Sequence, residues 1–456
     1  MLALIGSALL LFVLIVVTTA LTLQSKTAII FLPADETVLL ANKPTEESIA
    51  DLEHIFPVLK NLSIPPDTEN LALVDMPNGP MELVFFLRRD TQVPIGWQKI
   101  ELPPFVVVAS SQSLVDLLAK EKLNLSSVQE FKALYNSNKK KETWSFFKMP
   151  KRNSETVFDS ILEELAANEA QYVSYKKTEN GFFLRTFGTN KKQHGIIPTT
   201  VTLYLKDPIL SITMQNLPDL WSTVQSSLIP DEADKMEGIL AQIAVNTFGH
   251  DVSFQYDVLP LLEDTSTLEF NRSESGILLF AITGHTKTRK KTALILSKLH
   301  KSLEQTMDYG IETKTRILDD RFTSRDIRMN GDDAKNEMSA VGMWQIQQTL
   351  SSENVPIFTT AIRGTEFFVS NHPDTKDILE SGGKSVTLPM QNSINRAKSV
   401  AGGVLNVPEA LSLLRQAFSE PVDATHPVLS LIPMETILWS LSEEGYMRAL
   451  HIEIME

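Results

Sequence analysis

Between Leu2 and Leu23 lie 22 consecutive residues without a charged side chain, L-A-L-I-G-S-A-L-L-L-F-V-L-I-V-V-T-T-A-L-T-L. As an α-helix such a run is about 33 Å long, enough to cross a hydrocarbon core of ~30 Å. A cleaved secretory signal has a shorter apolar stretch, ~7–15 residues, ending at a small-x-small site. Here the candidate exit Thr18-Thr19-Ala20 is followed by further apolar residues, Leu21 and Leu23. The run reads as a retained signal-anchor over residues 1–25, holding the chain to a lipid bilayer through Leu2–Leu23. No Lys or Arg precedes the span, and Lys26 just after it leans towards a cytoplasmic body. Large bodies translocate largely regardless of such charges, so the body is expected outside the cytoplasm, in the cell envelope.

The roughly 430 residues after the anchor exceed what one core usually serves, so more than one domain is expected. Apolar residues make up 43% of the chain and charged ones 21%, which suits a folded rather than a disordered body. A net charge of −14 excludes a nucleic-acid partner, which would need a dense basic footprint, and opposes adhesion to an anionic lipid surface. Two basic clusters stand out, Lys139-Lys140-Lys141 with Lys148, Lys151 and Arg152, and Lys287 with Arg289, Lys290 and Lys291. Short charge runs of this kind read as solvated surface. The absence of cysteine removes disulfides, thiolate nucleophiles and Cys-ligated metals together.

Periodicity and turn residues predict an α+β body: antiparallel sheets joined by hairpins, with helices on one face. A strand over Thr27–Leu32 and another over Thr37–Ala41 precede an amphipathic helix over Glu46–Leu59, with Thr45 as its N-cap. Pro77-Asn78-Gly79-Pro80 marks a hairpin between Leu71–Asp75 and Met81–Leu87, and Asn180-Gly181 marks another inside Tyr172–Phe187. Further helices are expected over Ser111–Ala119, Ser126–Tyr135 (capped by Ser126 or Ser127) and Glu155–Ala167. The polar break Asn190–Gln193 separates two lobes, 26–195 and a longer 196–456. In the second, strands are read at Arg325–Met329 and Ala340–Trp344, around Asn330-Gly331. The order strand, helix, helix, strand, helix, hairpin runs from Phe105 to Phe187 and again from Phe367 to Ile454, so the lobes are expected to be related. The extra length of the second falls between Phe248 and Met343.

Four short stretches carry a resemblance: Leu32-Pro33-Ala34-Asp35, Leu123–Lys132 with its Phe131-Lys132 ending, Leu217-Pro218-Asp219-Leu220-Trp221, and Asp251–Leu262. Together they resemble a bacterial domain-of-unknown-function family of single-pass membrane-anchored, extracytoplasmic envelope proteins, over most of Ile29–Glu456. The resemblance implies a two-lobed body and no known catalytic residues. The second lobe departs from the Phe-Lys signature at Leu388-Pro389-Met390-Gln391.

No reactive motif in the chain is complete. Ser381-Gly382-Gly383-Lys384-Ser385 resembles the tail of a phosphate-binding loop, but Ile378 stands where that loop needs its first Gly. Because the run follows a helix, it reads as a helix C-cap. No Gly-x-Ser-x-Gly elbow occurs, and the eight histidines never fall at i, i+4. Asp319-Asp320 and Asp332-Asp333 lack the ligand order of a calcium loop. The five tryptophans read as core or interface residues. No catalytic, metal or cofactor residue is assigned. The expectation is a membrane-anchored, non-catalytic binding or scaffolding protein that meets an envelope protein partner. A carrier of a lipid or other apolar ligand in a sheet–helix cavity is the alternative, and a motif-poor enzyme the third reading.

Overall fold

The computed structural model describes residues 28–455 apart from 54, 78, 90–95, 121–122, 139–142, 149–171, 188–194, 228–232, 235–236, 239–240, 242–243, 246–247, 275, 309, 320–321, 331–334, 352–353, 390–397, 419–431 and 445–446. The anchor Leu2–Leu23 and the helix expected over Glu155–Ala167 lie outside the described residues. Among the described residues no helix is long and apolar enough to cross a membrane. Those up to 187 form one unit and those from 195 onward a second, with Ile432 falling to the first. Both are mostly antiparallel sheet with a few helices.

In the first unit the elements run β1 (Thr37–Asn42), α1 (Glu46–Ala50), β2 (Thr68–Asp75), β3 (Met81–Leu87), β4 (Gln98–Leu102), β5 (Phe105–Ala109), α2 (Gln112–Ala119), α3 (Gln129–Ser137), β6 (Trp144–Lys148), β7 (Tyr172–Thr178) and β8 (Gly181–Phe187). Pairing gives the spatial order β4-β5-β3-β2-β1-β6-β7-β8, antiparallel throughout. Leu71–Val74 of β2 are buried without a break, so this sheet is covered on both faces. Arg185 of β8 fastens α3 to it. Its guanidinium donates to the Ser137 carbonyl at the helix end (3.1 Å) and to Asn138 Oδ1 (2.9 Å), and lies 5.3 Å from the Trp144 ring centre. A cation at the carbonyl end of a helix also opposes its dipole favourably.

The second unit runs β9 (Thr200–Leu203), β10 (Leu210–Gln215), α4 (Leu217–Ser227), β11 (Thr265–Arg272), β12 (Leu278–His285), α5 (Arg289–Asp308), β13 (Gly310–Asp319), β14 (Phe322–Asn330), β15 (Lys335–Val341), β16 (Trp344–Leu350), β17 (Pro356–Arg363), β18 (Glu366–Ser370), α6 (Thr375–Ser381), β19 (Lys384–Thr387), β20 (Lys398–Asn406), α7 (Val407–Phe418), β21 (Thr436–Glu444) and β22 (Met447–Ile454). Its main sheet is ordered β15-β16-β17-β18-β12-β11-β10-β20-β21-β22. From β17 onward this order repeats that of the first unit position for position, and β18 stands where β5 stands. The residues between β12 and β17, which hold α5, β13–β14 and β15–β16, have no counterpart there.

Several expectations change. The helices of the second unit cover both faces of the sheet, not one: Phe280 and Ile282 pack with Leu296 and Leu299 of α5, while Ala281 between them packs with Leu379 of α6. Ala28–Ile30 is a 3-10 turn rather than a strand, and Glu46–Leu59 is broken after Ala50, with Pro57 opening a separate turn. Thr45 does cap α1, but α3 starts at Val128 without a side-chain cap, after a 3-10 turn that absorbs Ser126 and Ser127. Ala340–Trp344 is not one strand but the turn joining β15 to β16, and the strand Gly310–Asp319, absent from the sequence reading, pairs with β14. Between β18 and β20 only one helix is found among the described residues, and β19 follows it. Neither Asn180 nor Gly181 adopts positive φ; Gly181 opens β8.

The stretches behind the resemblance meet in pairs. The Ala34 amide donates to the Leu123 carbonyl (2.9 Å) and the Leu125 amide to that of Leu32 (2.9 Å). Trp221 packs edge-on against Phe254 at 5.8 Å. All four stretches therefore serve as packing contacts.

At Gly403 β20 comes close enough to β10 that a Cβ would lie 2.0 Å from the Ser211 carbonyl oxygen, a backbone atom with no freedom to retreat. Gly403→Ala is expected to lower stability by ~1–3 kcal/mol or more, the range for overpacking a tight interior. Urea unfolding checks it, with Ser385→Ala on exposed β19 as the neutral control.

Candidate functional site

Alternation along β11 and β12 makes one face of the second sheet apolar and the other polar, since successive side chains point to opposite sides. Leu268 and Phe270 of β11 pack on the α5 side. Thr265, Thr267 and Glu269 share the other. Register then lines these residues up across strands: Thr213 of β10 faces Thr267, Thr267 faces Thr283 of β12, and Glu269 faces Ala281. Further along, His285 faces Glu366 of β18, which faces Arg363 of β17.

The result is a cleft of about 200 Å³ whose floor includes Thr213, Thr265, Thr267 and Thr283 and whose roof includes Thr200 and Thr202 of β9. Thr213 and Thr267 hydroxyls are 2.8 Å apart, and either can be the donor. One wall is Arg363, which binds Glu366 through Nε at 2.7 Å and through a terminal nitrogen at 2.5 Å. The same guanidinium lies 4.5 Å from the centre of the Trp344 ring. Tyr204 closes another side, its ring edge-on to Phe368 at 5.2 Å.

Glu269 holds the roof. Its side chain is fully buried, and its carboxylate accepts from the amide of Tyr204 (3.0 and 2.9 Å to its two oxygens) and from that of Leu205 (2.8 Å). Burial pushes the carboxyl up to about 7, while those amide hydrogen bonds pull the other way. The carboxylate thus ties the segment after β9 to the sheet.

The opposite face carries a second buried polar group, His300 of α5. Its Nδ1 is 2.8 Å from Thr349 Oγ1 and its Nε2 is 2.8 Å from Thr360 Oγ1. Thr349 donates its proton to Asn336 Oδ1 (2.9 Å), and Asn336 Nδ2 donates to Glu304 (2.8 Å). Toward His300, Thr349 can therefore only accept. That assigns the proton to Nδ1 and leaves Nε2 to accept from Thr360, a neutral imidazole. Burial lowers its pKa to about 4, and that of His451 on β22 likewise.

In the sequence, spacing alone does not distinguish the eight histidines from one another. His300 was findable, because it lies four residues after Leu296 and three before Leu303, on the apolar stripe of its helix. Nothing marked Glu269 or the threonines, whose convergence depends on register. Gly382 is the left-handed C-cap of α6 (φ 80°), so Ser381–Ser385 is a helix end and not a phosphate loop. Of the basic clusters, Lys287 pairs with Asp264 (2.9 Å) and Lys148 donates to the Asp35 carbonyl (2.9 Å). Lys139–Lys141, Lys151 and Arg152 lie outside the described residues, as do Asp320, Asp332 and Asp333. Among the described residues no group of three or more His, Asp or Glu is arranged to hold a metal ion. Comparison with protein-family models, with curated proteins and with solved structures finds no match for this chain.

The buried groups impose opposite pH dependences. Glu269 has a folded pKa of about 7 against an ordinary 4.5, so its contribution is complete below pH 4.5 and lost as pH rises through 7. His300 and His451, near 4 against 6.5, contribute fully above pH 6.5 and lose that contribution as pH falls through 4. Glu269→Gln should flatten the loss of stability between pH 4.5 and 7. His300→Gln should flatten the loss between pH 6.5 and 4, at a cost of ~1–3 kcal/mol for the threonine hydroxyl left without its partner. Urea midpoints measured across pH 4–8 check both; unchanged slopes would contradict these assignments.

Proposed function

We propose that this chain is a membrane-tethered binding protein of the cell envelope, anchored through Leu2–Leu23 with its two units outside the cytoplasm, acting without catalysis by binding or scaffolding. The observation that carries the reading is the contrast between the cleft and the buried titratable groups. Glu269 is used up on the amides of Tyr204 and Leu205, His300 on two threonines, and Tyr175 on Asp51 (2.8 Å). The cleft itself presents hydroxyls, the imidazole of His285 at one end and an ion pair already made. Threonine hydroxyls are weak nucleophiles on their own but good hydrogen-bond partners.

The same reading takes the two units as related copies of one sheet plan, supported by the matching strand orders. It also includes membership of the envelope family suggested by Leu32–Asp35 and the other short stretches. A lipid or other apolar ligand is the alternative occupant, but it offers no hydrogen-bond partner to the threonine hydroxyls lining the cleft, which disfavours it.

The natural chain has no cysteine, so single introduced thiols report topology without background. Gln98→Cys in the first unit and Lys206→Cys in the second are exposed positions. A membrane-impermeant maleimide should label both on intact spheroplasts. Labelling only after lysis would place the body in the cytoplasm and sink the envelope reading.

A further inference from the structure

We propose that the threonine-lined cleft of the second unit binds a neutral polyhydroxylated ring, a free sugar or the terminal sugar of a glycan. This rests on the reading of the chain as a binding protein and names the ligand class for its cleft.

Three observations carry it. First, the charges of the lining cancel. Arg363 and Glu366 hold one another at 2.7 and 2.5 Å, so the pair carries no net charge to draw an anion into the cleft. Second, the remaining polar groups are mostly hydroxyls. Each offers one donor and two acceptor positions, which is the pattern that ligand hydroxyls present in return. Thr213, Thr267 and Thr283 stand side by side across three strands, and Thr202 faces them from the roof. Third, the size is right for one ring. The volume of about 200 Å³ is below the ~300–1,000 Å³ that encloses drug-sized ligands. Beside the hydroxyls, Tyr204 supplies apolar surface for the carbon–hydrogen face of such a ring. The roof has a defined position because Glu269 holds the amides of Tyr204 and Leu205, so little ordering is left for the ligand to drive.

The test is isothermal titration of the detergent-solubilised full chain with glucose, N-acetylglucosamine and myo-inositol, and with sodium phosphate as the anion probe. Saturable binding of at least one neutral ring is expected, with no binding of phosphate. Thr283→Val and Thr202→Val keep the side-chain shape and remove one hydroxyl each. Each should weaken binding at least fivefold, while Thr387→Val, exposed on β19 outside the cleft, should leave it unchanged. No heat from any of the three rings with a chain that circular dichroism shows to be folded overturns the proposal. So does binding of phosphate alone, or ring binding that survives both cleft variants. If the maleimide labels the body from outside and no ring binds, the ligand class falls and the envelope reading stands.

Discussion

The middle strands of the second unit are walled in on both sides, and that constraint governs what each position can hold. On β12, Phe280 and Ile282 fill the layer under α5 while Ala281 sits beneath α6. A strand with one wet face can alternate apolar and polar residues freely. A strand buried on both faces has no such outlet, so every polar side chain it carries must find a partner inside the protein or open onto a cleft. Glu269 and the threonine row are the two outcomes on one face. On the other, His300 of α5 bonds to threonines of β16 and β17.

These polar groups also oppose one another electrostatically. Glu269 and His300 lie on opposite faces of the same sheet, and both are held closer to their neutral forms than water would hold them. In each case desolvation outweighs the local hydrogen bonds, as expected where little water reaches the group. Because one group is an acid and the other a base, their linkage to pH has opposite sign over the interval they share. Glu269 offsets part of the pH response that the buried imidazoles of His300 and His451 give this unit.

Much of the plan was legible in the sequence wherever local chemistry decides the structure. Thr45 announced the start of α1, the prolines and glycine of Pro77–Pro80 announced the hairpin between β2 and β3, and the shared order of elements pointed to matching positions for β5 and β18. What depended on partners distant in sequence was hidden. Gly310–Asp319 has only Ile311, Ile317 and Leu318 as large apolar residues, with five polar residues in between, so its pairing with β14 left no strong period to detect. The helix whose apolar spacing continued to Leu59 ends at Ala50, where the backbone tightens into turns, and Pro57 opens a separate one. The cleft was the least visible feature of all. Thr213, Thr267 and Thr283 come from three strands, and only the register of the pairings brings their hydroxyls into one row.

The contact between Thr213 and Thr267 has a consequence for selectivity. Two hydroxyls 2.8 Å apart can share a proton in either sense, and the choice is free until a third group fixes it. Like water molecules in ice, such a pair keeps a residual orientational entropy, and neighbouring rotors that respond to it multiply the number of arrangements. A surface of this kind has no permanent pattern of donors and acceptors. With a ligand of the proposed class, such a surface would take the pattern of whatever arrives, and would discriminate by size and by the position of oxygen atoms more than by which of them bears the hydrogen.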